Sequence, residues 1–200
     1  METLASTFTR ISTQTETLEI ARRHQQLFIG IPKETTLQEN RVALVPHSVA
    51  TLTAHGHRVV VETGAGEQAR FTDLDYTEAG AEIAHNRETV YKADLLLKVA
   101  PPTLDEIELM QPNQVLISPI HLPLMNPECI TRLQKRRVIA LAMEYIRDAK
   151  TGVFPIVRVM SEIAGTSAIL IGADLLATAR GGKGVLLGGI AGVPPAKVII

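Results

Sequence analysis

The sequence has no tryptophan, three tyrosines and four phenylalanines, so aromatics make up only 4% of its 200 residues and the core must be aliphatic. It has one cysteine, Cys129. That excludes an intrachain disulfide and a cysteine-rich zinc site, and it fits a reducing compartment. Neither sign of charge dominates: 20 Lys+Arg stand against 21 Asp+Glu, formally −1. A dedicated nucleic-acid binder is usually basic, so nucleic acid is not an expected partner. Long apolar runs are scarce as well. Residues 1–26 lack an apolar h-region and carry Glu2, Glu16 and Glu19, unlike a secretory signal. The apolar stretch 164–179 is broken by Thr166, Ser167 and Asp174. From sequence it reads as too short and too interrupted to span a bilayer. The expectation is a cytoplasmic protein without membrane insertion. No metal is expected, because His24, His47, His55, His57, His85 and His121 show no ligand spacing.

What is present is an ordinary globular mix, 46% hydrophobic and 20% charged. Short aliphatic runs recur at 28–31, 58–61, 94–99, 114–118 and 138–142. They are nearly continuous and often β-branched, as strands buried on both faces of a parallel sheet should be. Helix signals lie between them. Pro46 opens and Gly56 closes one segment. Thr103 and Glu106 are spaced as a capping box. Asn126-Pro127-Glu128 starts another helix, which ends on the basic 135–137. The alternation predicts an α/β domain. Residues 147–156 read as a turn-rich connection, and 161–179 as one long helix with a small-residue line at Gly165, Ala168 and Gly172. A further strand is expected at 197–200. A chain stopping in mid-strand suggests a fragment of a longer protein. The expected organisation is an N-terminal extension over 1–26, carrying a helix at 16–26, then a substrate domain over 27–158. A linking helix over 159–180 and the start of a second domain over 181–200 follow.

Polar residues at the ends of the aliphatic runs are the chemical candidates. Arg41 follows the first run, Lys98 ends the 94–99 run, His121 follows 114–118 and Glu144 follows 138–142. In an open parallel sheet these ends face one crevice, where ligands bind. Arg, Lys and His together suit a small carboxylate: a fork for the carboxylate, a donor for a carbonyl and a proton shuttle. Taken singly, Arg41 reads as a surface residue, Glu144 as a cap and His121 equally as a structural histidine. Lys98 stands out, because a charge in so apolar a run is costly without a partner. If it serves a substrate, replacing it by Met should spare folding; if it partners a buried carboxylate such as Glu144, the replacement should cost about 3–5 kcal/mol. Gly64-Ala65-Gly66-Glu67-Gln68-Ala69 matches G-x-G-x-x-[GA] after a strand but reads as a glycine turn, because no clean helical stripe follows. Lys183 in the glycine-rich 181–192 lacks the Ser or Thr of a P-loop.

The segments at 29–34 (IGIPKE), 39–46 (ENRVALVP), 56–67, 93–102 (ADLLLKVAPP), 160–165 (MSEIAG) and 181–200 resemble the alanine dehydrogenase and nicotinamide nucleotide transhydrogenase α-subunit family. The resemblance runs from about residue 28 to the end and leans to alanine dehydrogenase, because His121 stands where that group has its catalytic histidine. It implies a Rossmann-like (flavodoxin-like) substrate domain, a linking helix and the first strand of an NAD-binding domain. It also implies reversible NAD-dependent deamination of L-alanine to pyruvate and ammonia, NAD as cofactor and a homo-oligomer, a hexamer in the family. By motif, Arg41 and Lys98 are substrate ligands, His121 is the catalytic acid/base and Ser161 is a cofactor contact at a helix start. KVAPP departs from the KVKEP of alanine dehydrogenases towards the transhydrogenase pattern. The alternatives are a transhydrogenase α-subunit and a non-catalytic short form acting as a binding module.

Overall fold

The structure is a computed structural model and describes residues 26–199. The extension and the helix expected over 16–26 fall outside the described residues, except for position 26. Six strands form one sheet: β1 (Phe28–Ile31), β2 (Arg58–Glu62), β3 (Glu82–Ala84), β4 (Leu95–Leu97), β5 (Val115–Ser118) and β6 (Ile139–Ala142). Their order is β3-β2-β1-β4-β5-β6. The ladders from β3 through to β5 are parallel, with Ile29 opposite Val59 on one side and Leu95 on the other. The order reverses between β1 and β4, so this is the Rossmann order rather than the flavodoxin one.

The apolar runs form strands because both sheet faces are covered. Val59, Val60 and Val61 point alternately to opposite faces and are all buried. Gly30 lets β1 run close beneath its neighbours: a Cβ there would lie 2.6 Å from the Val90 carbonyl oxygen and 2.9 Å from Leu96 Cδ2. Helices α1 (Pro46–Ala54), α2 (Asp73–Glu78), α3 (Arg87–Val90), α4 (Leu104–Leu109) and α5 (Pro127–Arg136) connect the strands. Thr103 caps α4 with the expected box: its hydroxyl accepts the Glu106 N–H, and Glu106 accepts the Thr103 N–H. Asn126 caps α5, and Pro127 opens it.

The sequence reading passed over α2 and β3. Both are too short for periodicity to register, although Thr72 and Asp75 form a complete capping box at α2. In contrast to the expectation for 138–142, β6 is an edge strand, and Ile139 and Leu141 are about half exposed. Over 197–199, the described part of the strand expected at 197–200, no strand is formed. Residues 194–199 are irregular: a strand needs a neighbouring strand to pair with, and no described strand pairs with them.

The chain divides into two compact units. One comprises the described residues up to Ser118 together with Asn126–Ala140 and holds most of the sheet and its core. The other comprises Pro119–Met125 and the residues from Leu141 on. It contains α6 (Pro155–Leu176) and the glycine-rich segment. α6 begins at Pro155, earlier than the sequence suggested, because proline is preorganised for a first helical turn. The helix has 22 residues, no buried residue and an 18-residue window of mean hydropathy 1.5, so by length and composition it could cross a membrane. One such helix is not by itself a membrane span. A Cβ on Gly165 or Gly172 would meet nothing within 4 Å, so no backbone among the described residues approaches there.

Candidate functional site

The reversal of strand order places the C-terminal ends of β1 and β4 side by side, and Lys98 lies there. Its burial is complete and it is not unpaired. Nζ donates to Glu34 Oε2 at 2.7 Å and to Glu106 Oε1 at 3.1 Å. Glu34 leaves the end of β1, and Glu106 is fixed by its capping role on α4. The other oxygen of Glu34 accepts the N–H of Val99 at 2.6 Å and of Ala100 at 3.4 Å. Glu106 Oε2 accepts the N–H of Thr103 at 2.8 Å, and Thr35 Oγ1 donates to its Oε1 at 3.4 Å. The charge that looked anomalous in sequence is therefore held between two carboxylates. Sequence reasoning did not pick out Glu34 or gave Glu106 only a capping role. Their spacing from Lys98 carries no signal until the sheet brings three loops together.

Arg41 lies in the loop between β1 and α1. Its side chain is 57% exposed and forms a fork on Glu39, with Nε 2.8 Å from Oε1 and a terminal nitrogen 2.6 Å from Oε2. The Arg41 N–H also donates to Glu39. The guanidinium hydrogen bonds hold the Glu39 carboxyl below the ordinary carboxylate range, against an opposing effect of burial. This is the bidentate geometry of carboxylate recognition.

His121 and Ser161 belong to the second unit. His121 follows β5 and is exposed, with φ +45°, an uncommon conformation for a residue with a Cβ. Its N–H donates to Glu144 Oε1 at 2.8 Å, and the Ile120 N–H contacts both Glu144 oxygens at 3.2 Å. Burial raises the Glu144 carboxyl, but the N–H donors of His121, of Glu144 itself and of Ile120 outweigh it, and the net shift is downwards. The His121 carbonyl accepts from Leu124 and Met125. The cap role foreseen for Glu144 is thus taken on the 119–125 loop. Ser161 lies in the second turn of α6 and not at a helix start, because Pro155 opens the helix earlier.

Neither glycine cluster opens onto an α-helix. Gly66 is followed by a three-residue 3-10 turn, and its Cβ would lie 2.6 Å from the Tyr76 ring. Gly181, Gly184, Gly189 and Gly192 have positive φ, and no helix follows among the described residues. The described residues therefore do not form a dinucleotide phosphate cradle. An open apolar groove of about 640 Å³ runs between α6 and the last residues, lined by Ala168, Gly172, Leu175, Val185 and Val198 among others. It includes none of the four predicted site residues.

The family model for the alanine dehydrogenase/PNT N-terminal domain matches residues 30–164. The alanine dehydrogenase of Bacillus subtilis is 41% identical over 174 residues, which are 87% of this chain and 45% of that relative. The alanine dehydrogenase of Methanococcus maripaludis is 40% identical over 175 residues, 87% of this chain and 46% of its own length. Among solved structures, an L-alanine dehydrogenase matches with TM-score 0.79 and 39% identity over 84% of this chain and 46% of that one. A transhydrogenase from Sinorhizobium meliloti matches with TM-score 0.54 and 36% identity, over 58% of this chain and 33% of that one. The chain spans about half the length of the curated relatives it matches.

Proposed function

The chain belongs to the alanine dehydrogenase/PNT family through its N-terminal domain, and from that premise we propose that it is the substrate-binding part of an NAD-dependent L-alanine dehydrogenase. The observation that carries the reading is topological. Arg41 and Lys98 follow β1 and β4, adjacent parallel strands whose C-terminal ends lie side by side at the reversal of strand order, and family resemblance adds His121 after β5. Similarity to the alanine dehydrogenases supports the choice of substrate.

In this reading the Arg41 fork takes the carboxylate of alanine or pyruvate, exchanging it for Glu39. Lys98 donates to the oxygen on Cα as charge develops there. His121 takes a proton from the water that adds to the oxidised carbon, and returns one as ammonia leaves, which is general acid/base work suited to an imidazole. The described residues form no dinucleotide phosphate cradle, so no step is derived through NAD. NAD is proposed from family membership alone, and Ser161 is its proposed contact on this chain. A homo-oligomer and a cytoplasmic location are proposed on the same basis. The proposed organisation remains a substrate domain over 27–158, a linking helix over 159–180 and the start of a cofactor domain from 181.

The transhydrogenase structural match favours a second reading, an α-subunit of a transhydrogenase. The test is to assay the full-length protein for NADH oxidation by pyruvate and ammonium. Turnover that requires both substrates is expected. A protein that passes hydride between two nicotinamide nucleotides but ignores pyruvate belongs to the second reading.

A further inference from the structure

Glu39 fills the Arg41 fork as a substrate carboxylate would. Its Oε1 accepts Nε at 2.8 Å and the Arg41 backbone N–H at 3.0 Å, and its Oε2 accepts a terminal guanidinium nitrogen at 2.6 Å. Two parallel charge-assisted bonds are what a guanidinium offers any carboxylate. The Arg41 side chain is 57% exposed and that of Glu39 13%, so an outside carboxylate can reach the arginine. The Glu39 backbone is fixed separately, its N–H donating to the Thr36 carbonyl at 3.1 Å. The side chain can therefore turn away by rotation about its own bonds, with the loop turn intact. The fork also sits within electrostatic reach of the buried cluster. Hydrogen bonds from Arg41 do most to hold the Glu39 carboxyl low, and Lys98 adds to this through space. Glu39 in turn does most to hold the Arg41 proton, and Glu34 adds to that.

Resting on the function proposed above, we propose that Glu39 is an internal competitor for the Arg41 fork, an autoinhibitory contact that a substrate carboxylate has to displace. A carboxylate two residues from its partner is tethered to it, and a short tether gives an effective concentration on the order of millimolar. Substrate meets an open fork in only a fraction of the molecules, and its apparent affinity falls by that fraction. A fork open in about one molecule in ten weakens binding about tenfold. Once Glu39 has left, ground state and transition state are held alike, so the contact acts on KM and not on kcat. A Glu39 that instead aligned Arg41 for substrate would have the opposite sign, and its removal would weaken binding.

The experiment uses the full-length protein, with oxamate as a small carboxylate that is bound without being turned over. Oxamate affinity is measured by titration calorimetry, beside KM and kcat for pyruvate. The proteins are wild type, Glu39→Gln, Arg41→Met, the double variant and Glu82→Gln. Glu82 pairs with Arg58 on the surface, so its replacement removes one negative charge without touching the fork. Glu39→Gln is expected to bind oxamate about tenfold more tightly and to lower the pyruvate KM about tenfold, with the gain in KM and not in kcat. The gain should vanish in the Arg41→Met background, which shows that it acts through the fork. Glu82→Gln should match wild type; an equal gain there would make the effect one of net charge and overturn the proposal. Unchanged or weaker oxamate binding in Glu39→Gln would mean that Glu39 aligns Arg41 or plays no part, and would also overturn it. Glu39→Ala gives the same reading if Glu39→Gln does not fold. A wild type that turns over no pyruvate refutes the proposed function, while the oxamate titration still decides whether Glu39 blocks the fork. Oxamate that binds neither wild type nor Glu39→Gln overturns the competition itself.

Discussion

Glu144 holds His121 by its backbone: the carboxylate accepts the His121 N–H at 2.8 Å and braces the Ile120 N–H beside it. The imidazole is thus left without that tether, while the chain that carries it is fixed in a left-handed conformation. Hydrogen bonds to a charged group contribute about 1.5–3 kcal/mol each when well formed, and partial exposure of Glu144 puts the effect at the low end.

Replacing Glu144 by Ala should therefore loosen the 119–125 loop more than it unfolds the protein. In the full-length protein the expected result is about a tenfold loss of pyruvate turnover with Tm lowered by only a few degrees. Amide exchange at Ile120 and His121 should speed up. Equal exchange rates in variant and wild type would show that the clamp does not order the loop.

The same clamp has a defined response to acid. The Glu144 carboxyl is depressed on balance, so its stabilising effect is present above the ordinary carboxylate value and is lost as pH falls through the lower folded value. Titrating the Glu144 carboxyl by NMR together with the His121 amide should show both moving at one midpoint below 4.5, the ordinary carboxyl value. A Glu144 midpoint at or above that value would contradict the assignment.

At His121 itself, φ +45° penalises any side chain that crowds the left-handed region. His121→Gly should be more stable than His121→Val by about 1–2 kcal/mol. Both should lack turnover if His121 is the acid/base. A denaturant melt of the two variants decides the first point, and a pyruvate assay the second. A more stable Val variant would mean that the loop relaxes to another conformation.

Lys98→Met reads differently with the structure in hand. Of the two outcomes the sequence left open, the buried-carboxylate one is expected, with Glu34 and Glu106 rather than Glu144 as the partners left around an apolar side chain. Loss of one member of a buried ionic cluster costs about 3–5 kcal/mol, and thermal melting should show a large drop in Tm. Adding Glu106→Gln should recover part of it. An unchanged Tm in the single variant would mean that the buried cluster does not form.

Gly66→Ala tests whether the Gly64–Gly66 turn is a packing device. The added Cβ would lie 2.6 Å from the Tyr76 ring and 2.8 Å from the Phe71 carbonyl oxygen. Overpacking of this kind costs about 1–3 kcal/mol. A lower Tm with unchanged NADH affinity in the full-length protein is expected; weakened NADH binding at unchanged Tm would restore the nucleotide-binding reading.

Sequence alone determined the strands at 28–31, 58–61, 94–99, 114–118 and 138–142, where helices begin at Pro46, Thr103 and Asn126, and that a charge at Lys98 needed explaining. These are local properties: apolar continuity, proline's fixed φ and a cap's reach of three residues. It did not determine β3 or α2, which are shorter than the periods that reveal such elements, nor the true start of α6 ahead of Ser161. Only tertiary structure decided that Lys98 meets Glu34 and Glu106, 64 and 8 positions away in the chain. The reversal of strand order between β1 and β4 creates that meeting, and burial makes it obligatory. Glu144, 23 residues from His121, is the same case. A carboxylate's partner across a sheet is chosen by topology and desolvation, and neither is written in the spacing of residues along the chain.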